Sequence, residues 1–118
     1  MKKVLYVDDS EVMRKIVKMV LENLGYQILT ASSGKEAVEV CSKEQPDLVL
    51  MDLSMPNFDG FATIQVLINN GYTNPIVILT ASENEEDRAK AKALGCADYI
   101  LKTVDMGDIK RVINRHIV

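Results

Sequence analysis

Short apolar runs alternate along the chain with longer segments whose apolar residues recur three and four apart. Five runs, at residues 4–7, 28–29 with their flanks, 48–51, 76–79 and 99–101, are rich in Val, Ile and Leu without strict apolar–polar alternation. That is the pattern of strands covered on both faces. Between them, Val12, Met13, Ile16, Val17, Val20 and Leu24 predict an amphipathic helix stopped by Gly25. Ser33 followed three residues later by Glu36 predicts a capping box, with Ala37, Val38 and Cys41 on one helix face. Phe61, Ile64, Leu67 and Ile68 repeat the helical spacing before Gly71. Ser82 and Glu85 predict a second capping box for a helix over 83–94, and a last helix starts near Asp105 with Ile109, Val112, Ile113 and Ile117 on one side. The fourth helix has the thinnest stripe, mostly Ala89, Ala93 and Leu94, and is expected to pack least firmly.

Strand and helix therefore alternate five times, which predicts an α/β fold: parallel strands joined by right-handed crossover helices, with a helical layer on each face of the sheet. No repeat, low-complexity tract or Pro/Gly/Ser linker interrupts the chain, so residues 1–118 read as one domain. At 13.1 kDa and 47% hydrophobic residues, the chain is expected to fold to a surface of roughly 6,400 Å² around one core without metal or disulfide staples.

Charge narrows the partners. A net charge of −3 lacks the basic surplus expected of a nucleic-acid or anionic-membrane binder. No run of about 18 apolar residues is present to span a bilayer, and residues 4–7 are too short for a signal-peptide core. Cys41 and Cys96 form neither a CxxC pair nor a zinc set. The expected setting is a reduced, cytoplasmic one.

In open parallel sheets, ligands bind beyond the carboxyl ends of the strands, where strand order reverses. The first run ends in Asp8-Asp9, the third in Asp52, the fourth in Thr80 and the fifth in Lys102. With the first strand central and the second at an edge, three carboxylates, one ammonium and one hydroxyl share one rim. The carboxylates repel one another, and a single lysine cannot balance them. A divalent cation can, since three negative charges, Lys102 and a doubly charged ion sum to zero. An all-oxygen donor set without His or Cys favours a hard ion, Mg²⁺ or Mn²⁺. Such an ion keeps positions for phosphate oxygens, and a carboxylate can itself be the nucleophile that forms an aspartyl phosphate. Transfer then needs positioning and charge neutralisation, with the metal, Lys102 and Thr80 on the three phosphoryl oxygens.

Taken singly, each of these residues has a plain structural explanation. Asp8-Asp9 fits a turn or helix N-cap before Glu11, Asp52 a loop opening, and Lys102 a solvated strand end. A threonine after an apolar strand is ordinary. Their joint placement at four of five strand ends is what points to a site.

These residues resemble the response-regulator receiver domain of two-component signalling, over essentially the whole chain from Val4 to the final helix. The most specific segment is Asp52-Leu53-Ser54-Met55-Pro56-Asn57-Phe58-Asp59-Gly60, similar to the family's phosphoacceptor loop. Val-Asp-Asp-Ser at 7–10, Leu-Thr-Ala at 79–81 and the stretch from Gly95 to Lys102 complete the likeness. The resemblance implies a flavodoxin-like, doubly wound (βα)5 fold with five parallel strands in the order 2-1-3-4-5. It implies that Asp52 accepts a phosphoryl group from a phosphohistidine of a sensor histidine kinase or phosphotransfer protein. Asp9 would bind Mg²⁺ directly, Asp8 mainly through water, Asp52 as the acceptor and Ser54 through its backbone carbonyl, with Thr80 and Lys102 on the phosphoryl oxygens. Tyr99 matches the aromatic whose rotamer reports the position of Thr80, and Ala81 leaves room for its swing; an ordinary strand tyrosine is the plain alternative. The output face would be the fourth helix, fifth strand and fifth helix, controlling a downstream protein target. The chain would act as a phosphoacceptor rather than an enzyme on other substrates, as a monomer or a phosphorylation-dependent dimer. Ser54 and Ser82 stand where the family tunes dephosphorylation. One departure is Thr103, where the family usually has proline after the lysine; a cis bond there would cost roughly 3 kcal/mol, so a trans Lys102–Thr103 bond is expected.

Two other readings compete. A Mg²⁺-dependent phosphatase of the haloacid-dehalogenase kind would use Asp-x-Asp after the first strand, whereas Asp8 and Asp9 are adjacent, and 118 residues leave no room for its cap. An interaction module that never carries phosphate would not need the Asp9, Asp52, Thr80 and Lys102 set. Elsewhere, His116 reads as a packed or dipole-facing residue, Cys41 as an inert buried thiol, and the mixed charges over 83–92 as a solvated helix face.

Overall fold

The computed structural model describes residues 1–53, 60–81, 83–102 and 105–117. The elements run β1 (Lys3–Val7), α1 (Glu11–Asn23), β2 (Gln27–Ala31), α2 (Gly34–Glu44), β3 (Leu48–Asp52), α3 (Gly60–Asn69), β4 (Ile76–Thr80), α4 (Glu85–Ala93), β5 (Asp98–Leu101) and α5 (Met106–His116). The five strands are parallel, in the order β2-β1-β3-β4-β5, as expected. The surface is 6476 Å², close to the area expected from chain mass. Among the described residues, no helix is long and apolar enough to cross a membrane.

Successive strand residues point to opposite faces, and each face has its own core. On one side Val4, Tyr6, Leu48, Leu50, Val77, Leu79 and Ile100 meet Val17 and Leu21 of α1 and Ile109, Ile113 and Ile117 of α5. On the other, Leu5, Val7, Val49, Met51, Ile76 and Ile78 meet Ala37 and Cys41 of α2, Ile64 and Leu67 of α3, and Ala91 of α4. β1, β3 and β4 are apolar throughout apart from their end residues because both their faces are covered, so no polar side was available to alternate with.

The helix ends correct several expectations. Ser10 caps α1, its Oγ accepting from the Met13 N–H, so the Asp8-Asp9 pair is not the cap. Ser33 caps α2 through the Glu36 N–H, but Glu36 Oε1 reaches the N–H of Ser32 rather than of Ser33, so the reciprocal half of the box is displaced by one residue. The reciprocal box forms instead at α5, between Asp105 and Asp108. α4 starts at Glu85 with Asn84 as its cap, not with the predicted Ser82, which lies outside the described residues. Gly25 and Gly71 do end helices with left-handed φ of 96° and 92°. α2 has no such glycine, and Gln45 adopts φ 47° before Pro46.

Burial also redraws two helix faces. On α1 only Val17 and Leu21 are fully covered, with Met13 packed at the margin; Val12, Ile16 and Met19 are 66%, 40% and 59% exposed. The predicted stripe was wider than the groove the sheet and α5 provide. On α4 the buried residue is Ala91, while Ala89 and Ala93 face solvent. Cations supplement that single small contact, Arg88 lying 4.7 Å from the Tyr99 ring centroid and Lys90 5.1 Å from that of Phe61.

Candidate functional site

The parallel register brings the strand ends together. Asp52 closes β3 beside Leu79 of β4, and Thr80 pairs with Leu101 of β5. The chain then holds that alignment one residue further, with the Leu53 N–H bonded to the Leu79 carbonyl at 3.0 Å and the Lys102 N–H to the Thr80 carbonyl at 2.8 Å. On the other side of β1, the Asp8 N–H bonds the Ala31 carbonyl at 3.1 Å.

Carboxylate oxygens of Asp8, Asp9 and Asp52 lie within 4.8 Å of one another. Asp8 and Asp52 are buried, each 1% exposed, while Asp9 opens to solvent. Lys102 Nζ donates to Asp52 Oδ2 at 2.8 Å, its own side chain 31% exposed. One buried carboxylate thus carries a cationic partner, and three acidic groups still outnumber the one ammonium. Among the described residues the donor set is entirely oxygen, so a hard divalent cation fits it. Asp8, Asp9, Asp52 and Lys102 are therefore brought together as predicted. Thr80, 2% exposed, stands at the same rim. Tyr99 pairs with Ile78 and shares a sheet face with it, the face that Thr80 also occupies by alternation. Ser54, the phosphoacceptor-loop residues 55–59, and Thr103, on which the trans Lys102–Thr103 bond depends, lie outside the described residues.

The contacts that hold Asp8 were missed in the sequence. The phenol of Tyr6, in the core and fully buried, hydrogen-bonds Asp8 Oδ2. Asp8 Oδ1 accepts the Ser10 N–H at 2.9 Å, and Arg14 Nη1 donates to the Asp8 carbonyl at 2.8 Å. Burial, and then the bond to Asp8, push the Tyr6 phenol well above its ordinary value, so it is a neutral donor. The available signal was a tyrosine inside an otherwise aliphatic strand, because a buried phenol needs a partner.

His116 is not merely packed: its Nε2 lies 3.2 Å from Asp98 Oδ2, with Arg115 Nη1 at 3.4 Å from the same oxygen, on the sheet edge away from the rim. Cys41 is buried as expected, and burial raises the thiols of Cys41 and Cys96 to about 11.

Comparison with known proteins agrees with this geometry. Residues 4–114 match the response regulator receiver domain family. The chain is 35% identical over 116 residues to protein PilH of Pseudomonas aeruginosa, covering 97% of this chain and 96% of that one. It is 38% identical over 101 residues to the alkaline phosphatase synthesis transcriptional regulatory protein PhoP of Bacillus subtilis, covering 86% of this chain but only 42% of the relative. Among solved structures, the chemotaxis protein CheY4 of Vibrio cholerae superposes with a TM-score of 0.91 at 31% identity, over 99% of both chains. Fold, rim chemistry and likeness converge, and the chain belongs to the response regulator receiver domain family of two-component signalling.

Proposed function

We propose that residues 1–118 form one receiver domain in which Asp52 accepts a phosphoryl group from a phosphohistidine of a sensor histidine kinase or phosphotransfer protein. The observation that carries this reading is the approach of Asp8, Asp9 and Asp52 to within 4.8 Å of one another, with Lys102 on Asp52 at 2.8 Å. Asp9 would hold Mg²⁺ directly, Asp52 would share it, Asp8 would act through water, and the carbonyl of Ser54 would complete the protein ligands. The cation's part is to neutralise the acidic cluster and the phosphate oxygens. Asp52 attacks phosphorus through one carboxylate oxygen; the new O–P bond forms as the P–N bond breaks, and its electron pair stays on the imidazole. Lys102 leaves its apo partner for one phosphoryl oxygen and Thr80 donates to another.

Phosphorylation replaces one negative charge by two, taking the metal-loaded cluster from neutral to −1. Bonds from Thr80 and Lys102 then favour a conformation in which the loop after β4 is drawn inward. α4, β5 and α5 would carry that change to a downstream protein, with Tyr99 following Thr80 on their shared sheet face. Support for α4 as the responding element is its single buried residue, Ala91. The donor protein must cover the rim to place its histidine on Asp52, and the exposed Val12, Ile16 and Met19 extend an apolar row from that rim along α1. This reading makes the chain a cytoplasmic signalling phosphoacceptor that promotes only its own phosphorylation and dephosphorylation. It binds no nucleic acid or membrane itself, and is a monomer or pairs on phosphorylation.

The test is intact-mass analysis after acetyl phosphate and Mg²⁺. A phosphoryl adduct in the wild type that is absent in Asp52→Asn is expected. An adduct that persists in Asp52→Asn and maps to Asp8 would instead support the phosphatase, and no adduct in either chain would leave an interaction module.

A further inference from the structure

We infer that Tyr6 is a positioning residue for the cation site, holding the Asp8 carboxylate from inside the core. Tyr6 lies on β1 and Asp8 one residue beyond its end, where the Asp8 N–H still bonds the Ala31 carbonyl, so two residues of extended chain bring both side chains to the same side. The ring is fully buried in the α1/α5-side core with Val4, Val17 and Leu21, which closes off any alternative direction for the side chain. The hydroxyl at the tip meets Asp8 Oδ2, while the Ser10 N–H meets Asp8 Oδ1 at 2.9 Å. Each Asp8 oxygen therefore accepts from a different donor, and the two bonds together orient the carboxylate before any cation arrives.

Two consequences follow for the site. The Asp8 carboxylate is held beside those of Asp9 and Asp52, with oxygens of the three within 4.8 Å of one another. With one position of each oxygen already used, Asp8 is better suited to hold a metal-bound water than to enclose the ion. Phenylalanine would fill the same core volume and supply none of this. Groups that orient metal-binding carboxylates in this way typically change metal affinity 10- to 100-fold when removed.

The inference rests on the cation site proposed above, so its test separates the two. Mg²⁺ is titrated into the unphosphorylated chain and its Kd read from the backbone amide shifts of Asp8, Asp9 and Asp52. Tyr6→Phe is expected to raise that Kd about tenfold. Val4→Ala, a cavity in the same core cluster, is expected to lower the thermal midpoint while leaving the Kd within twofold. A Kd unchanged in Tyr6→Phe, or raised equally by Val4→Ala, overturns the role of Tyr6 while the cation site stands. No Mg²⁺-dependent shift in the wild type overturns both. Incorporating 3-fluorotyrosine into the wild-type chain gives a second measurement that needs no mutant: among four tyrosines, the Tyr6 resonance should move with the same midpoint as the Asp9 amide, and a Tyr6 signal that stays fixed through the titration rejects the contact.

Discussion

At the scale of single residues, the site depends on how few charges face each other across the rim. Lys102 is partly exposed but its partner Asp52 is buried, so the pair is not an ordinary surface ion pair. Lys102 also acts in the reaction, where it meets charge developing on the phosphoryl group. Lys102→Met is expected to slow phosphorylation by acetyl phosphate about a hundredfold, the usual loss for one such donor, and to lower the unfolding midpoint because buried Asp52 loses its cationic partner; time-resolved intact mass and a denaturant titration measure both. The cysteines show the opposite behaviour, chemistry suppressed by packing. With the Cys41 thiol raised to about 11 by burial, its reactive thiolate is scarce at neutral pH and increases as pH rises toward that value. Alkylation of Cys41 by iodoacetamide at pH 8 should be about a hundredfold slower than that of a free thiol and should accelerate at pH 10, followed by peptide mass against time. Lys102 was readable from its place at a strand end. The role of Tyr6 was not, since its hydroxyl acquires meaning only when Asp8 lies over it.

Among the elements, α4 differs from its neighbours in how it is held. α1 and α5 bury large aliphatic side chains, Val17, Leu21, Ile109 and Ile113, whereas α4 buries Ala91 and adds two cation–ring contacts at its surface. Each such exposed contact contributes about 0.5–1 kcal/mol, less than the burial of one large aliphatic side chain. The backbone amides of α4 should therefore exchange with solvent faster than those of α1 or α5, and hydrogen exchange followed by NMR measures this directly. Protection in α4 equal to that in α5 would remove the argument that this element is the one most easily biased. The thin stripe was visible in the sequence, although it named Ala89 and Ala93 rather than Ala91, because period alone does not say which of several alanines meets the sheet.

For the molecule as a whole, the acidic rim couples cation binding to folding. The unfolded chain does not hold Asp8, Asp9 and Asp52 together, so a cation that binds the cluster stabilises the folded state alone. Mg²⁺ at a hundred times its Kd should add about 2.7 kcal/mol to the unfolding free energy. Scanning calorimetry should show that gain reversed by chelation and largely absent in Asp9→Asn. An equal gain in Asp9→Asn would place the binding elsewhere.

Sequence alone was enough for the alternation of strands and helices, the two-sided burial of the sheet and the residues at its carboxyl ends. Those properties are local: periodicity reports which faces are covered, and a strand end is where a run of apolar residues stops. Tertiary structure decided everything that depended on a second segment arriving. It chose Val17 and Leu21 over Val12 and Ile16 because the sheet and α5 cover only part of α1. It also joined His116 to Asp98 across the fold and closed a core around the Tyr6 ring, which leaves its phenol the Asp8 carboxylate as partner. Such pairings arise from packing across the fold, where distance in space rather than spacing along the chain determines which groups interact.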